Sequence, residues 1–263
     1  MVMEGIYPIT REQVEFYQEN GFIQLPEVLS KEEVRDLRTI LTTATRDRKK
    51  RYAKGQIRVD PRYEKVFVQM VNLWEDYPEI RPYVLSRRFA EIARKLTHSR
   101  AVRLWHDHAL IKPPLDGAET QWHQDFPYWP MNEPGALSHW LALDDVNEKN
   151  GCLCFVPRSH KYGRLDPVSL TKRDSVFKRA GLKKRDVKPV VMAMKAGWCT
   201  FHDGNTFHYA YGNTTNRPRR ALAIIYMPNG TTYNGASHCC TDGYGLKPGA
   251  PIRGKRFPIL AGR

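Results

Sequence analysis

His123 and Asp125 stand two positions apart in Gln121-Trp122-His123-Gln124-Asp125, and a third candidate, His208, follows 85 positions after His123 (208 − 123). Two imidazoles and one carboxylate on one face of a metal ion leave the opposite face open, the donor set that suits non-haem Fe(II) in oxygenase chemistry. Residues i and i+2 of a β-strand point to the same side. His123 and Asp125 can therefore reach one ion if the end of their strand lines a cavity, and His208 must arrive on another strand of the same sheet structure. The chemistry such a set would do is redox chemistry, carried by the metal.

Arg219 lies eleven positions beyond His208 (219 − 208), at the head of the apolar run Arg219-Arg220-Ala221-Leu222-Ala223-Ile224-Ile225-Tyr226-Met227. A run of that kind reads as a buried strand. A guanidinium there can hold a carboxylate through paired charge-assisted hydrogen bonds, and the far end of 2-oxoglutarate is the natural carboxylate. Competing readings exist. A lone His-x-Asp arises by chance in many chains, and this one has nine histidines. His106-Asp107-His108 also places two imidazoles on one strand face, a cupin-type possibility that lacks a closely following Glu. His202, in Phe201-His202-Asp203-Gly204, is an alternative third ligand, but its counterpart arginine would be Arg217, which precedes Pro218 and reads as turn.

The motifs extend well beyond these positions. Asn20-Gly21-Phe22-Ile23-Gln24-Leu25-Pro26-Glu27-Val28-Leu29-Ser30 and Asn72-Leu73-Trp74 open the series. Ala109-Leu110-Ile111-Lys112-Pro113-Pro114 and Trp122-His123-Gln124-Asp125-Phe126-Pro127-Tyr128-Trp129 continue it. Leu143-Asp144-Asp145, Asn150-Gly151-Cys152-Leu153, Val156-Pro157-Arg158-Ser159-His160 and the block from His208 to Arg219 complete it. In order and spacing the chain resembles the phytanoyl-CoA dioxygenase (PhyH-like) family of Fe(II)/2-oxoglutarate-dependent oxygenases, over almost its whole length. The resemblance implies a double-stranded β-helix (jelly-roll, cupin-like) barrel, iron at His123, Asp125 and His208, and 2-oxoglutarate on Arg219. It also implies that Lys112 and Trp140 line the co-substrate pocket. With O2 as second co-substrate, oxidative decarboxylation of 2-oxoglutarate to succinate and CO2 would drive oxidation of an unactivated C–H bond, with hydroxylation the default outcome. Desaturation, epoxidation and rearrangement use the same ligands. The Asp125 carboxylate occupies the position a halide would need, which disfavours halogenation. Tyr209 departs from the small residue that follows the distal histidine in many relatives.

Other segments must position these groups. Thr10-x-x-Gln13 and Ser30-x-x-Glu33 are capping-box patterns, and Gly21 is a helix stop. The second helix is expected from about Lys31 towards Arg48, with Leu29 and Val34 as a hydrophobic staple, and Ser86 is expected to cap a third that turns Phe89, Ile92, Ala93 and Leu96 to one side. From Ala101 the pattern changes to short β-like runs: Val102–Lys112, Leu137–Leu143, Cys152–Val156, Val190–Met194, Trp198–His202 and Arg219–Met227. The expectation is an all-β core with flanking helices in a single oxygenase domain over 1–263, with about 1–100 mainly helical and about 101–263 the jelly roll. Asn150-Gly151 reads as a tight turn, Asn213 as a loop brace, and His160 as a local hydrogen-bonder. Phe126, Tyr128 and Trp129 are candidates for a lid over the substrate.

Composition sets the outer limits. At 263 residues and 30.5 kDa one undivided β-rich domain is expected. Met1-Val2-Met3-Glu4 does not begin a secretory signal, no apolar run is long enough to span a bilayer, and Ala261-Gly262-Arg263 is not a peroxisomal tail signal. Five cysteines, with Cys239 and Cys240 adjacent, fit no disulfide framework and no structural zinc pattern, so a cytoplasmic location is expected. Forty-two Lys and Arg against 28 Asp and Glu leave a net charge of +14. The excess concentrates in Arg46-Asp47-Arg48-Lys49-Lys50-Arg51 with Lys54 and Arg58, and from Lys172 to Lys188 through Arg173, Lys178, Arg179, Lys183, Lys184 and Arg185. Solvated surface is the ordinary explanation. The functional one is attraction of a small anionic substrate: a carboxylate, a phosphate, or a CoA- or carrier-linked ester. No base-reading motif appears, and Tyr52 and Phe177 alone interleave the charges, so nucleic acid is not the expected partner. A non-catalytic metal- or ligand-binding jelly-roll protein is the alternative to an enzyme; three intact ligand positions and Arg219 weigh against it.

Overall fold

The computed structural model describes residues 5–54, 70–170 and 175–262. Arg58, Lys172 and Arg173 of the basic segments lie outside the described residues, as do the first four residues and Arg263. Among the described residues six α-helices occur: α1 (Arg11–Asn20), α2 (Lys31–Ala53), α3 (Leu73–Asp76), α4 (Arg81–Val84), α5 (Arg87–Leu96) and α6 (Val176–Arg179). The ten strands among those residues are β1 (Phe22–Leu25), β2 (Ala101–Lys112), β3 (Thr120–His123), β4 (Leu137–Ala142), β5 (Leu153–Phe155), β6 (Val190–Met192), β7 (Cys199–Asp203), β8 (His208–Ala210), β9 (Arg219–Pro228) and β10 (Ile259–Gly262).

Both expected capping boxes are present. The Thr10 hydroxyl accepts from the Gln13 N–H while Gln13 returns to the Thr10 N–H, and Ser30 and Glu33 do the same for α2. Gly21 ends α1 in the left-handed region at φ 80°, where a side chain would collide with His160 and Thr206. Ser86 stands at the N-cap position of α5, yet its hydroxyl makes no cap bond. That helix is held by packing instead: Phe89, Ile92, Ala93 and Leu96 are buried against β2, β9 and β10. Each large side chain of this kind contributes about 1.5–3 kcal/mol by leaving water, enough to outweigh one missing cap.

The strands form two antiparallel sheets, a six-stranded one in the order β1-β7-β4-β9-β2-β10 and a four-stranded one in the order β3-β8-β5-β6. This is the jelly-roll architecture with helices outside. Among the described residues no strand pairing joins the two sheets, so the core is an open sandwich rather than a closed barrel. Three apolar clusters fill it. The first lies between the helices and the outer face of the large sheet, where Leu222, Ile224 and Tyr226 of β9 meet Leu37, Leu41 and Phe89. A second lies between the sheets and takes Ala221, Ala223 and Ile225 from the other face of β9. Its two buried faces explain why β9 reads as one unbroken apolar run. The third, around Trp122, Phe177 and Phe207, backs the small sheet.

Local sequence understated β structure. β1 falls in the part expected to be helical and pairs with β7, Phe22 opposite His202. β3, β8 and β10 have three or four residues each and were not among the expected runs. Such short segments gain their hydrogen bonds from neighbours distant in sequence, so no local periodicity announces them.

Candidate active site

His123 ends β3, and His208 begins β8 directly opposite it in the ladder. Asp125 does not share a strand with His123 as the i, i+2 argument assumed. The chain leaves β3 after His123, and Asp125 adopts helical dihedrals (φ −80°, ψ −42°) at the head of a 3-10 turn over Phe126–Tyr128. That bend carries its carboxylate back over the strand end. The Nε2 atoms of His123 and His208 each lie 3.5 Å from Asp125 Oδ1, and the three donor atoms fall within 4.8 Å of one another.

The protonation pattern is set by backbone carbonyls. His123 Nδ1–H donates to Gln121 O at 2.7 Å and His208 Nδ1–H donates to Thr206 O at 3.0 Å, so both unprotonated Nε2 atoms face the shared space. The other carboxylate oxygen, Asp125 Oδ2, accepts from the Ser138 hydroxyl at 2.6 Å and from His202 Nε2–H at 3.2 Å. Burial pushes the Asp125 carboxyl up, but the imidazoles of His208, His123 and His202 together outweigh it and hold the group well below its ordinary range. Burial, then the neighbouring His123, drives the His208 pKa well below 6.5. Two imidazole nitrogens and one carboxylate oxygen, with the rings oriented, fit a divalent cation of the Fe(II) type.

His202 therefore sits behind the carboxylate rather than with the other two donors. Its rank as an alternative ligand came from proximity in sequence, whereas its position on β7 opposite Ser138 of β4 turns both side chains onto Oδ2. Sequence reasoning missed Ser138. The available signal was a polar residue two before Trp140 in an apolar strand, but only the register with His202 reveals its target.

A cavity of about 210 Å³ opens beside these residues. At one end Lys112 and Arg219 face each other across the β2–β9 ladder, 8% and 3% exposed. Arg219 Nη1 donates to Leu110 O at 2.9 Å, its Nε has no partner, and its guanidinium lies 5.3 Å from the centre of the Trp140 ring. Lys112 Nζ donates to Ala118 O at 2.6 Å. Burial lowers the Arg219 pKa to about 10, and burial followed by repulsion from Arg219 lowers that of Lys112 to about 8. The adjacent Asp144 is engaged elsewhere, gripping Arg220 through both oxygens at 2.8 and 2.9 Å. Two buried cations, one with an unmet N–H, fit an incoming carboxylate. Gly151 lets the backbone pack close against Lys112: a Cβ there would come within 2.8 Å of Lys112 Cδ and of Tyr211 O.

The remaining candidates divide cleanly. Tyr128 and Trp129 line the cavity, with the Tyr128 hydroxyl on Val168 O, while Phe126 turns away into the core at 1% exposure. Asn213 braces its loop, donating to the carbonyls of Lys112, Pro113 and Arg217. His160 bonds to Gln18 O at 3.0 Å and takes no part in the site.

The sequence profile of the family described as phytanoyl-CoA dioxygenase (PhyH) matches residues 17–221. The chain belongs to this family. Its relatives include the ectoine dioxygenase of Bordetella bronchiseptica, 29% identical over 91% of this chain and 80% of that protein. Among solved structures, the non-haem alpha-ketoglutarate-dependent carbocyclase SnoK from nogalamycin biosynthesis is 28% identical with a TM-score of 0.81, over 98% of this chain and all of that one. The epimerase SnoN, solved with Fe3+, alpha-ketoglutarate and nogalamycin RO, is 26% identical with a TM-score of 0.76 over 95% and 98% of the two chains. This PhyH-family protein is an Fe(II)/2-oxoglutarate-dependent oxidoreductase with the jelly-roll fold expected of it. No described helix is long and apolar enough to cross a membrane.

Proposed function

We propose that this protein is a dioxygenase that hydroxylates an unactivated C–H bond of a small metabolite, with Fe(II) held by His123, Asp125 and His208 and the distal carboxylate of 2-oxoglutarate held by Arg219 and Lys112. The observation that carries the assignment is the shared focus of two oriented Nε2 atoms and one carboxylate oxygen at the wall of a cavity whose far end holds two buried cations. Bound iron with 2-oxoglutarate and O2 supplies the oxidising power and releases succinate and CO2.

The chain's own residues have separable tasks. The Gln121 and Thr206 carbonyls fix the rings of His123 and His208. Ser138 and His202 engage one oxygen of Asp125, which leaves the other directed at the two imidazoles. A carboxylate so anchored keeps the position a halide would require, which favours oxygen transfer over halogenation. Arg219 exchanges the desolvation of an unmet N–H for a charge-assisted bond, Lys112 adds a second, and Trp140 shields the pair from water. Tyr128 and Trp129 restrict water at the reacting end.

The positive charge has an object within this reading, because 2-oxoglutarate is itself a dianion and a basic protein draws it in. The described basic residues at Lys178, Arg179, Lys183, Lys184 and Arg185 are exposed on the surface. The five cysteines are free thiols, which suits a reducing compartment such as the cytoplasm.

The test is an anaerobic titration of the metal-free protein with Fe(II) and then 2-oxoglutarate, followed by the visible charge-transfer band of a chelated keto acid. Saturation at one equivalent is the expected result. Iron binding without the band would favour a metal centre of another kind, and failure to bind iron would leave a ligand-binding jelly roll.

A further inference from the structure

Beyond the metal and co-substrate groups the same cavity carries a second polar set. His106 and His108 of β2 and His238 of the loop after β9 line it, with Cys239 beside them. β2 would ordinarily turn alternate residues to opposite sides, but its register against β9 slips between Leu104 and His106. Leu104 packs under the helices, Trp105 packs between the sheets, and His106 also faces the interior. The bulge thus places His106 and His108 on the cavity side while Asp107 points out. Register fixes their distance from the metal ligands. His106 lies opposite Ile225, Ile225 opposite Ser138, and Ser138 opposite His202, so one rung of the large sheet runs from His106 to the two residues that hold Asp125. Two interstrand steps separate His106 from Ser138, roughly 9–10 Å between Cα atoms. The cavity lies over Ile225 between them, and that is the space a reacting molecule would occupy. His108 stands one rung closer to Arg219, and the His238 ring closes the far side, 6.2 Å from the centre of the His106 ring at an interplanar angle of 27°.

The charges around this space are unevenly placed. Among the described residues, the cations that line the cavity are Lys112 and Arg219, both at the co-substrate end. The lining acids are Asp116, Glu119 and Asp125. An anion placed against His106 and His108 would lose its hydration and meet no opposing charge, which is costly in a water-poor site. An ammonium group there would also lose its hydration with no facing carboxylate, since Asp125 is held by Ser138 and His202 while Asp116 and Glu119 lie beside Lys112 at the other end. Burial keeps both rings uncharged, His106 well below 6.5 and His108 at about 4. His106 donates Nδ1–H to Asp107 O at 3.2 Å and so offers Nε2 as an acceptor, while His238 Nδ1 accepts from the Cys240 N–H at 3.1 Å and so offers Nε2–H as a donor. A neutral acceptor beside a neutral donor suits a hydroxyl group. Val71, Leu110, Ile225 and Trp129 supply apolar wall around them.

We propose that His106, His108 and His238 form the substrate-recognition wall of this site, and that the substrate is an uncharged molecule with an apolar body that presents hydroxyl groups to those rings, donating to His106 and accepting from His238. The inference rests on the oxygenase reading above and narrows its substrate class away from the anionic metabolite that net charge suggested.

The experiment uses the full chain loaded anaerobically with Fe(II) and 2-oxoglutarate, and probes that share one skeleton: a naphthalenediol, a hydroxynaphthalenesulfonate and an (aminomethyl)naphthol. Binding is measured by calorimetry on the wild type and on His108→Leu and His238→Leu, with 2-oxoglutarate affinity measured in parallel. The diol should bind most tightly. Each variant should weaken it roughly two- to tenfold, the range for one neutral hydrogen bond, and leave 2-oxoglutarate binding unchanged. His238 is half-buried on a loop, so its replacement leaves the strands intact. Tighter binding of the sulfonate or the amine, no binding of the diol, or a diol affinity unmoved in both variants would overturn the inference while the oxygenase reading stands. Loss of 2-oxoglutarate binding in the wild type would instead remove that reading and this inference with it.

Discussion

Two histidine–aspartate clusters lie within twenty residues of one another, His106-Asp107-His108 and His123-Gln124-Asp125, and they meet opposite fates. In the first, strand alternation separates the groups: the imidazoles turn into the cavity, while Asp107 turns outward and accepts the N–H groups of Leu73 and Trp74 at 3.0 and 3.3 Å, capping α3. In the second, the chain quits the strand after His123 and bends, so that Asp125 reaches the same point as His123 and His208. The comparison teaches that a metal-ligand spacing acquires meaning from the backbone beneath it. An aspartate adjacent to a histidine in a regular strand serves the other face; an aspartate just past a strand end can serve the same one.

The largest effect that would break this contrast concerns the ligands. His208→Ala should abolish iron-dependent turnover, whereas His202→Ala should keep it while losing about 10–100-fold in metal affinity or activity, the usual cost of removing a group that orients a ligand. Iron titration and 2-oxoglutarate decarboxylation assays read both, and the reverse ranking would exchange the roles of the two residues. At the other end of the cavity, Arg219→Ala should weaken 2-oxoglutarate binding by on the order of 2–5 kcal/mol. Arg220→Ala should leave that affinity near the wild-type value, because its partner is Asp144; equal effects would remove Arg219 from the co-substrate site.

A smaller effect is expected from pH. Lys112 loses its proton as pH rises through about 8, so 2-oxoglutarate affinity should fall there by roughly tenfold, one charge-assisted bond. A bound carboxylate shifts the transition upward, and Lys112→Met should be flat across the same range. The least effect on function should come from Asp107→Asn. Burial raises the Asp107 carboxyl from 3.8 to about 7, so its contribution to stability is fully present below about pH 4 and is lost as pH rises to 7. Relative to the Asn variant, denaturant unfolding should show the wild type losing roughly 4 kcal/mol across that window, since His106 and His108 titrate in both proteins. A parallel pH dependence would show that Asp107 does not titrate there.

Much of the fold was legible because it rests on local rules. Capping boxes at Thr10 and Ser30, the apolar side of α5, and the long runs of β2 and β9 all follow from side-chain type and period. Where reading failed, a distant partner decided: β1 and β10 are too short to carry a pattern, β3 and β8 were expected only through His123 and His208, and the Ser86 cap gave way to packing. Phe126 shows the same limit beside the site. Its neighbours Tyr128 and Trp129 line the cavity, yet it fills the core, and a 3-10 turn separates the two outcomes.

The amino-acid sequence by itself determined the kinds of groups available and the family to which the chain belongs: two histidines and an aspartate at His123, Asp125 and His208, and an arginine at the head of a buried strand. These are properties of residue type and order. Tertiary structure alone decided which atoms meet. It placed Ser138 and His202 behind one carboxylate oxygen, paired Lys112 with Arg219 across a ladder, and used a bulge at Trp105 to turn two further histidines into the same cavity. Strand register between segments as much as 119 residues apart (225 − 106) sets those meetings, and register is chosen by how whole faces bury their apolar side chains, which no short stretch of chain contains.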